Sequence, residues 1–125
     1  MPDLTTMEAL YQKMGEYTRM DTELPFAEFV AFAQALLDYL QKNFQDMPEE
    51  DLIKAKGMTM ILAGNAKMRA QKKDANRKKF AKIGEKAKFW EDALALRLTK
   101  HGSLTGDELD QRVSGLWSEA GDAPA

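Results

Sequence analysis

The chain has no cysteine among its 125 residues. Disulfide frameworks and cysteine-based zinc sites are therefore excluded, and a reducing compartment is compatible with the composition. Histidine occurs once, as His101. It falls at the end of a helical pattern, where a cation interacts favourably with the helix dipole, so capping is the simpler reading than general-base chemistry. Valine and isoleucine are few, and no segment alternates apolar and polar residues over a useful length, so strands are not expected. No run approaches the roughly eighteen apolar residues of a membrane-crossing helix. The start, MPDLTTMEAL, has neither a basic n-region nor an apolar core, so no signal peptide is expected and the cytoplasm is the default location. Gly-rich phosphate loops, G-x-S-x-G, H-E-x-x-H and EF-hand patterns are also missing. No catalytic residue, cofactor or metal ligand is assigned, and an enzyme is not expected.

Helix is present in quantity. Apolar residues make up 44% of the chain and charged residues 30%, which suits one globular domain over residues 1–117. The polar end SEAGDAPA, residues 118–125, is expected to be a flexible tail. Thr5 and Glu8 have capping-box spacing, and Met7, Leu10, Met14 and Tyr17 form one stripe behind them. Pro25 suits the first turn of a second helix, in which Phe26, Val30, Ala33, Leu37, Leu40 and Phe44 recur at spacings of three and four. Phe29, Phe32, Leu36 and Tyr39 widen that stripe to well over half the surface. A helix this apolar is either central or half-buried against another chain. Phe29, Phe32 and Tyr39 are the candidate protein-interface positions, and a homo-oligomer is one way to cover them.

A third helix is expected from Asp46, with Pro48 just inside and Glu49 at the capping-box position. The run Gly57–Gly64 is uncharged, and its two glycines lie two turns apart on one face. Each costs about 1 kcal/mol of helix propensity relative to alanine, so close approach of a neighbouring helix is expected there. Further on, Phe80, Ile83, Ala87, Trp90, Leu94 and Leu98 restore the stripe, and Lys100-His101-Gly102 ends it. Thr105 with Glu108 opens a short last helix through Leu109, Val113, Leu116 and Trp117. The fold expected is an all-α compact bundle of four to five helices, with the second and third central. The acidic runs Glu49-Glu50-Asp51 and Asp107-Glu108-Asp110 sit at helix starts, which explains them more simply than a divalent ion does.

Charge is distributed unevenly. Between Lys67 and Lys88 there are ten basic residues and two acidic ones, while the other 103 residues hold eight basic and eighteen acidic. Around Arg69–Lys79 basic side chains point in every direction of a helical wheel, so no face there can be buried. This Lys-rich segment either projects as continuous helix or breaks at Asp74–Asn76 and folds back, with Asp74 and Asn76 as caps; folding back keeps the molecule compact. Arg69, Lys72, Lys73, Arg77, Lys78, Lys79 and Lys82 are the candidate site for a polyanion or an acidic partner. Another protein is the expected partner, with nucleic acid as the alternative. Against nucleic acid stand the preference for lysine over arginine and aromatics that sit at the end of the basic segment rather than among its cations.

Phe89-Trp90, Ala93-Leu94, Gly102, Leu104-Thr105 and Glu108-Leu109-Asp110-Gln111-Arg112 resemble the helical segment of the nitrile hydratase β subunit and its small accessory (activator) proteins. The likeness covers residues 88–117. The upstream Trp-containing helix of that family has no counterpart in residues 25–44, and the Lys-rich insertion is foreign to it. The metal ligands of that enzyme lie in its other subunit, so the resemblance implies a partner-binding, non-catalytic role as an accessory or assembly protein. It also implies that Trp90 and Arg112 are packing or subunit-contact positions.

Overall fold

A computed structural model describes residues 4–72 and 75–117. The fold is an all-α bundle: α1 (Met7–Thr18), α2 (Phe26–Asn43), a 3-10 turn (Phe44–Asp46), α3 (Glu49–Ala70), α4 (Arg77–Thr99) and α5 (Gly106–Ser114). None of these helices is long and apolar enough to cross a membrane. The expected tail, residues 118–125, lies outside the described residues.

The long helices α3 and α4 form an antiparallel hairpin that is the spine of the bundle. The basic segment thus folds back instead of projecting. Asn76 occupies the position before α4 without making a capping bond, and Asp74, the other expected cap, lies outside the described residues. Close packing of the two helices centres on Gly84, where an added Cβ would lie 3.4 Å from the Ala66 methyl. The buried stripe of α4 is Phe80, Ala87, Leu94 and Leu98, with Ile83 and Trp90 half-buried beside it. On α3 it is Leu52, Ala55, Met58, Thr59, Leu62 and Ala66, and the Thr59 hydroxyl is satisfied by donating to the Ala55 and Lys56 carbonyls of its own helix.

The centre of the bundle differs from the expectation. The α2 backbone lies nearest α4 and α1, with α3 reached by side chains such as Arg69 over Phe29, so the pair in closest contact is α3 and α4. Phe29, Phe32, Ala33, Leu36 and Leu40 form the buried line of α2, while Val30 and Leu37 are only half-buried. The wide apolar face left this choice open in the sequence. The edge-to-face packing of Phe29 on Phe80 and of Tyr17 on Phe32 places the larger aromatics inward.

Several helix ends shift by a few residues. Thr6, not Thr5, caps α1 by accepting from the Ala9 N–H. Asp46 closes the 3-10 turn, and α3 begins only after Pro48. Thr105 and Glu108 form a complete capping box on α5, and the Thr105 backbone N–H that donates to the Glu108 carboxyl, with the Thr105 side chain beside it, holds that carboxyl below its ordinary pKa. Gly102 is required for room rather than for a left-handed backbone. No described glycine has positive φ, but a Cβ at Gly102 would lie 2.4 Å from the Leu98 carbonyl oxygen.

Candidate functional site

The hairpin has two very different ends. Its base, where α3 begins and α4 stops, is tied by side chains. Lys56 pairs with Glu91 at 2.9 Å with both groups largely buried. Arg97 stacks on Phe44 and donates to the Phe44 and Gln45 carbonyls, the latter at 2.9 Å. Glu49 accepts from Ser103, and Glu50 pairs with Arg112 at 2.7 Å. The acidic runs therefore serve ion pairs and helix starts. Among the described residues no group of three His, Asp or Glu side chains is placed to hold a metal ion.

The other end, the hairpin tip, gathers the candidate basic residues, and the fold sorts them into two groups. Arg69 belongs to the structure: its guanidinium lies 4.3 Å from the Phe80 ring and 5.3 Å from Phe29, and it donates to the Leu24 carbonyl at 2.9 Å. It staples the 19–25 turn onto the aromatic cluster of α2 and α4, a role that a solvated cation could not fill. Lys72 pairs with Glu23 of the same turn, and Lys79 lies over the Phe26 ring at 5.6 Å. Arg77, Lys78, Lys82 and Lys86 are exposed and have no described carboxylate within ion-pairing distance. Lys73 lies outside the described residues.

Arg77, Lys78 and Lys79 occupy the first turn of α4, which contains no acid. Cations next to the positive end of a helix dipole are unfavourable by about 0.3–1 kcal/mol each when exposed at low salt. The same placement reinforces the field that an anion would meet. The acids at the base of α3 are a full helix length away: 22 residues at 1.5 Å rise give ~33 Å, several times the ~8 Å screening length at physiological salt. The overall charge of −2 is thus a poor guide to the local field at the tip.

The aromatic interface candidates are placed differently. Phe29 and Phe32 are only 5% and 2% exposed and pack inside this chain, so the apolar breadth of α2 is satisfied intramolecularly. Tyr39 is half-buried, and burial together with the nearby Asp51 charge raises its pKa. Phe89 is instead the exposed aromatic at 65%; it meets Trp90 edge-on and lines a shallow groove of about 350 Å³ between α2 and α4. Trp90 packs against Phe44, ring centroids 5.4 Å apart.

The close approach expected at the glycines of α3 is found at Gly57, where residues 116 and 117 make it. Trp117 is laid into a slot between α1 and α3 whose walls are Gly15 and Gly57. An added Cβ would lie 3.2 Å from its ring at Gly15 and 3.0 Å at Gly57, and its ring stacks on Tyr11 at 5.2 Å. The Tyr11 hydroxyl donates to the Leu116 carbonyl at 2.8 Å and fixes the segment from the other side. Nothing local in the sequence pairs these glycines with Trp117, which lies far beyond both of them along the chain. Beyond this slot the same groove is empty over about 460 Å³.

No family model, curated protein or solved structure matches the chain.

Proposed function

We propose that the chain is a non-catalytic protein-interaction module that docks the tip of its α3–α4 hairpin on an acidic surface of another protein. The observation that carries this reading is the first turn of α4. Three cations stand where they work against the helix dipole, and two of them, Arg77 and Lys78, have no described acidic partner. Lys82, one turn on, and Lys86 extend the patch along the exposed side of α4. The resemblance of residues 88–117 to accessory proteins of nitrile hydratase agrees with a partner-binding role. Nucleic acid is the second reading, favoured by the same exposed cations, which could neutralise several phosphates without reading sequence.

The two readings separate in one titration. Labelled polyglutamate, duplex DNA and single-stranded DNA are offered to the full chain at low and moderate salt, and anisotropy is measured. Protein docking predicts that polyglutamate binds at least as tightly as either DNA, with affinity falling as salt rises. Charge reversal at Arg77, Lys78 and Lys82 together should abolish that binding. Tighter binding of DNA, with a steep log–log salt slope, would establish the second reading instead. Failure of all three probes at low salt would remove both.

A further inference from the structure

From the half-filled groove between α1 and α3 we infer a second contact for the same partner: a seat for one large apolar side chain, best an aromatic, on an amphipathic helix of that protein. This rests on the reading that the partner is a protein, and goes on to say what it must present beside its acidic residues.

The groove is one structural feature with two halves. In the first half the indole of Trp117 fills the space between Gly15 and Gly57, and Leu116 reaches to 2.6 Å from where a Gly57 Cβ would stand. The second half is an open cavity of about 460 Å³, lined by Met14, Tyr17, Met20, Ile61, Asn65 and Met68. That volume lies within the range of sites that take a compact organic group. Its lips are apolar where a closed protein surface would be polar: Met20 is 42% exposed and Met68 59%. Together with Met60, which is 42% exposed, these are three of the five large apolar residues exposed on the described surface. Flexible thioethers at the rim of an open groove suit a site that must close around another molecule's side chain.

Gly64 is the counterpart of Gly57. Seven residues on, it lies close to the same face of α3, but no described atom approaches within 4 Å of where its Cβ would be. At Gly57 the loss of helix propensity is matched by the tight seat of Leu116 and Trp117. At Gly64 no described residue supplies a matching contact, which leaves room for the close approach of another molecule that a mid-helix glycine permits.

Charge sets the direction of the partner helix. The groove rim carries both signs, with Asp21 and Glu23 against Arg69 and Lys72, so recognition within it is apolar. Past Met68 the α3 ridge runs into Lys72 and the basic tip, while Lys67 stands exposed beside it. A helix laid along the groove therefore places its large apolar residue over Met68 and its carboxylates over the tip.

The test uses a synthetic amphipathic helical peptide with one central tryptophan and glutamates at one end, and the same peptide with alanine for tryptophan. Each is titrated into the full chain carrying carbon-13-labelled methionine methyls. The tryptophan peptide should shift the Met14, Met20 and Met68 signals and leave Met7 and Met47, at the other end of the bundle, in place. Replacing tryptophan by alanine should weaken binding about thirtyfold, as expected for a central buried aromatic. Met68→Gln changes only an exposed side chain, so the protein stays folded; it should weaken the tryptophan peptide and not the alanine one. Equal binding of the two peptides, lost on reversal of Arg77, Lys78 and Lys82, would overturn the groove site and keep the basic tip. Methionine shifts that survive high salt and that reversal would keep the groove site and overturn the tip. No binding of the tryptophan peptide at millimolar concentration would overturn the groove site.

Discussion

The base and the tip of the α3–α4 hairpin are built from the same two helices and treat charge in opposite ways. At the base, Lys56, Arg97, Glu49 and Glu50 all have partners on another element. At the tip, Arg77, Lys78 and Lys82 have no described acidic partner, and the first two stand at the wrong end of a helix dipole. Packing runs the length of the hairpin all the same, because Phe80 in the first turn of α4 is fully buried against Phe26 and Phe29. The tip is therefore a firm platform with an unsatisfied surface. Its order comes from the aromatic cluster and the Arg69 clamp, and the exposed cations Arg77, Lys78 and Lys82 add no described contact to that order.

The sharpest way to break this comparison is to mutate neighbours that face opposite ways. Phe80→Ala removes an aromatic with no exposed surface that also supports Arg69, and should destabilise the protein by about 3–5 kcal/mol in chemical denaturation. Lys78→Ala, two residues earlier in the same turn, should change stability by less than about 0.5 kcal/mol. Similar losses from the two substitutions would mean that the tip cations belong to the fold.

The glycines of α3 give a second contrast of smaller size. Gly64→Ala adds a Cβ to open space and should stabilise by about 0.8–1 kcal/mol through helix propensity alone. Gly57→Ala gains the same propensity but presses on Leu116 and on an indole fixed by stacking on Tyr11. Overpacking of this kind costs about 1–3 kcal/mol, so the net change should be a loss of about 1 kcal/mol. Denaturation curves for the two variants should therefore move in opposite directions from the parent. Movement in the same direction would show that the Trp117 slot yields easily and is no precedent for the open half of the groove.

Much of the fold was legible in the sequence because helices announce themselves locally. The stripe from Phe80 to Leu98, the Thr105–Glu108 box and the break near residue 75 all rest on neighbours within a few turns. Tertiary choices were not legible. The apolar face of α2 was too wide to say which line is buried, and only the edge-to-face fit of Phe29 on Phe80 decides it. Gly57 and Gly64 look alike in the sequence, and what separates them is the return of residues 116–117 across α3. The candidate site was half legible. Charge density located the tip, but Arg69 looks like its neighbours until the Leu24 carbonyl and two aromatic rings are found around it.

The smallest effect is the most telling about the tip, because its sign is unusual. A surface charge reversal ordinarily leaves stability unchanged or lowers it. Lys78 lies in the first turn of α4, beside Arg77 and Lys79 and with no acid in that turn. Replacing it with glutamate exchanges an unfavourable interaction with the dipole for a favourable one and relieves repulsion from its neighbours. Lys78→Glu should therefore raise stability, by a few tenths up to ~1 kcal/mol at low ionic strength, with the gain shrinking as salt screens it. Denaturation at low and high salt, set beside polyglutamate binding of the same variant, reads both consequences. A protein that becomes more stable as it loses its anion binding holds that lysine for a partner. One that loses both together holds it for the fold, and the contrast between base and tip would then be one of degree.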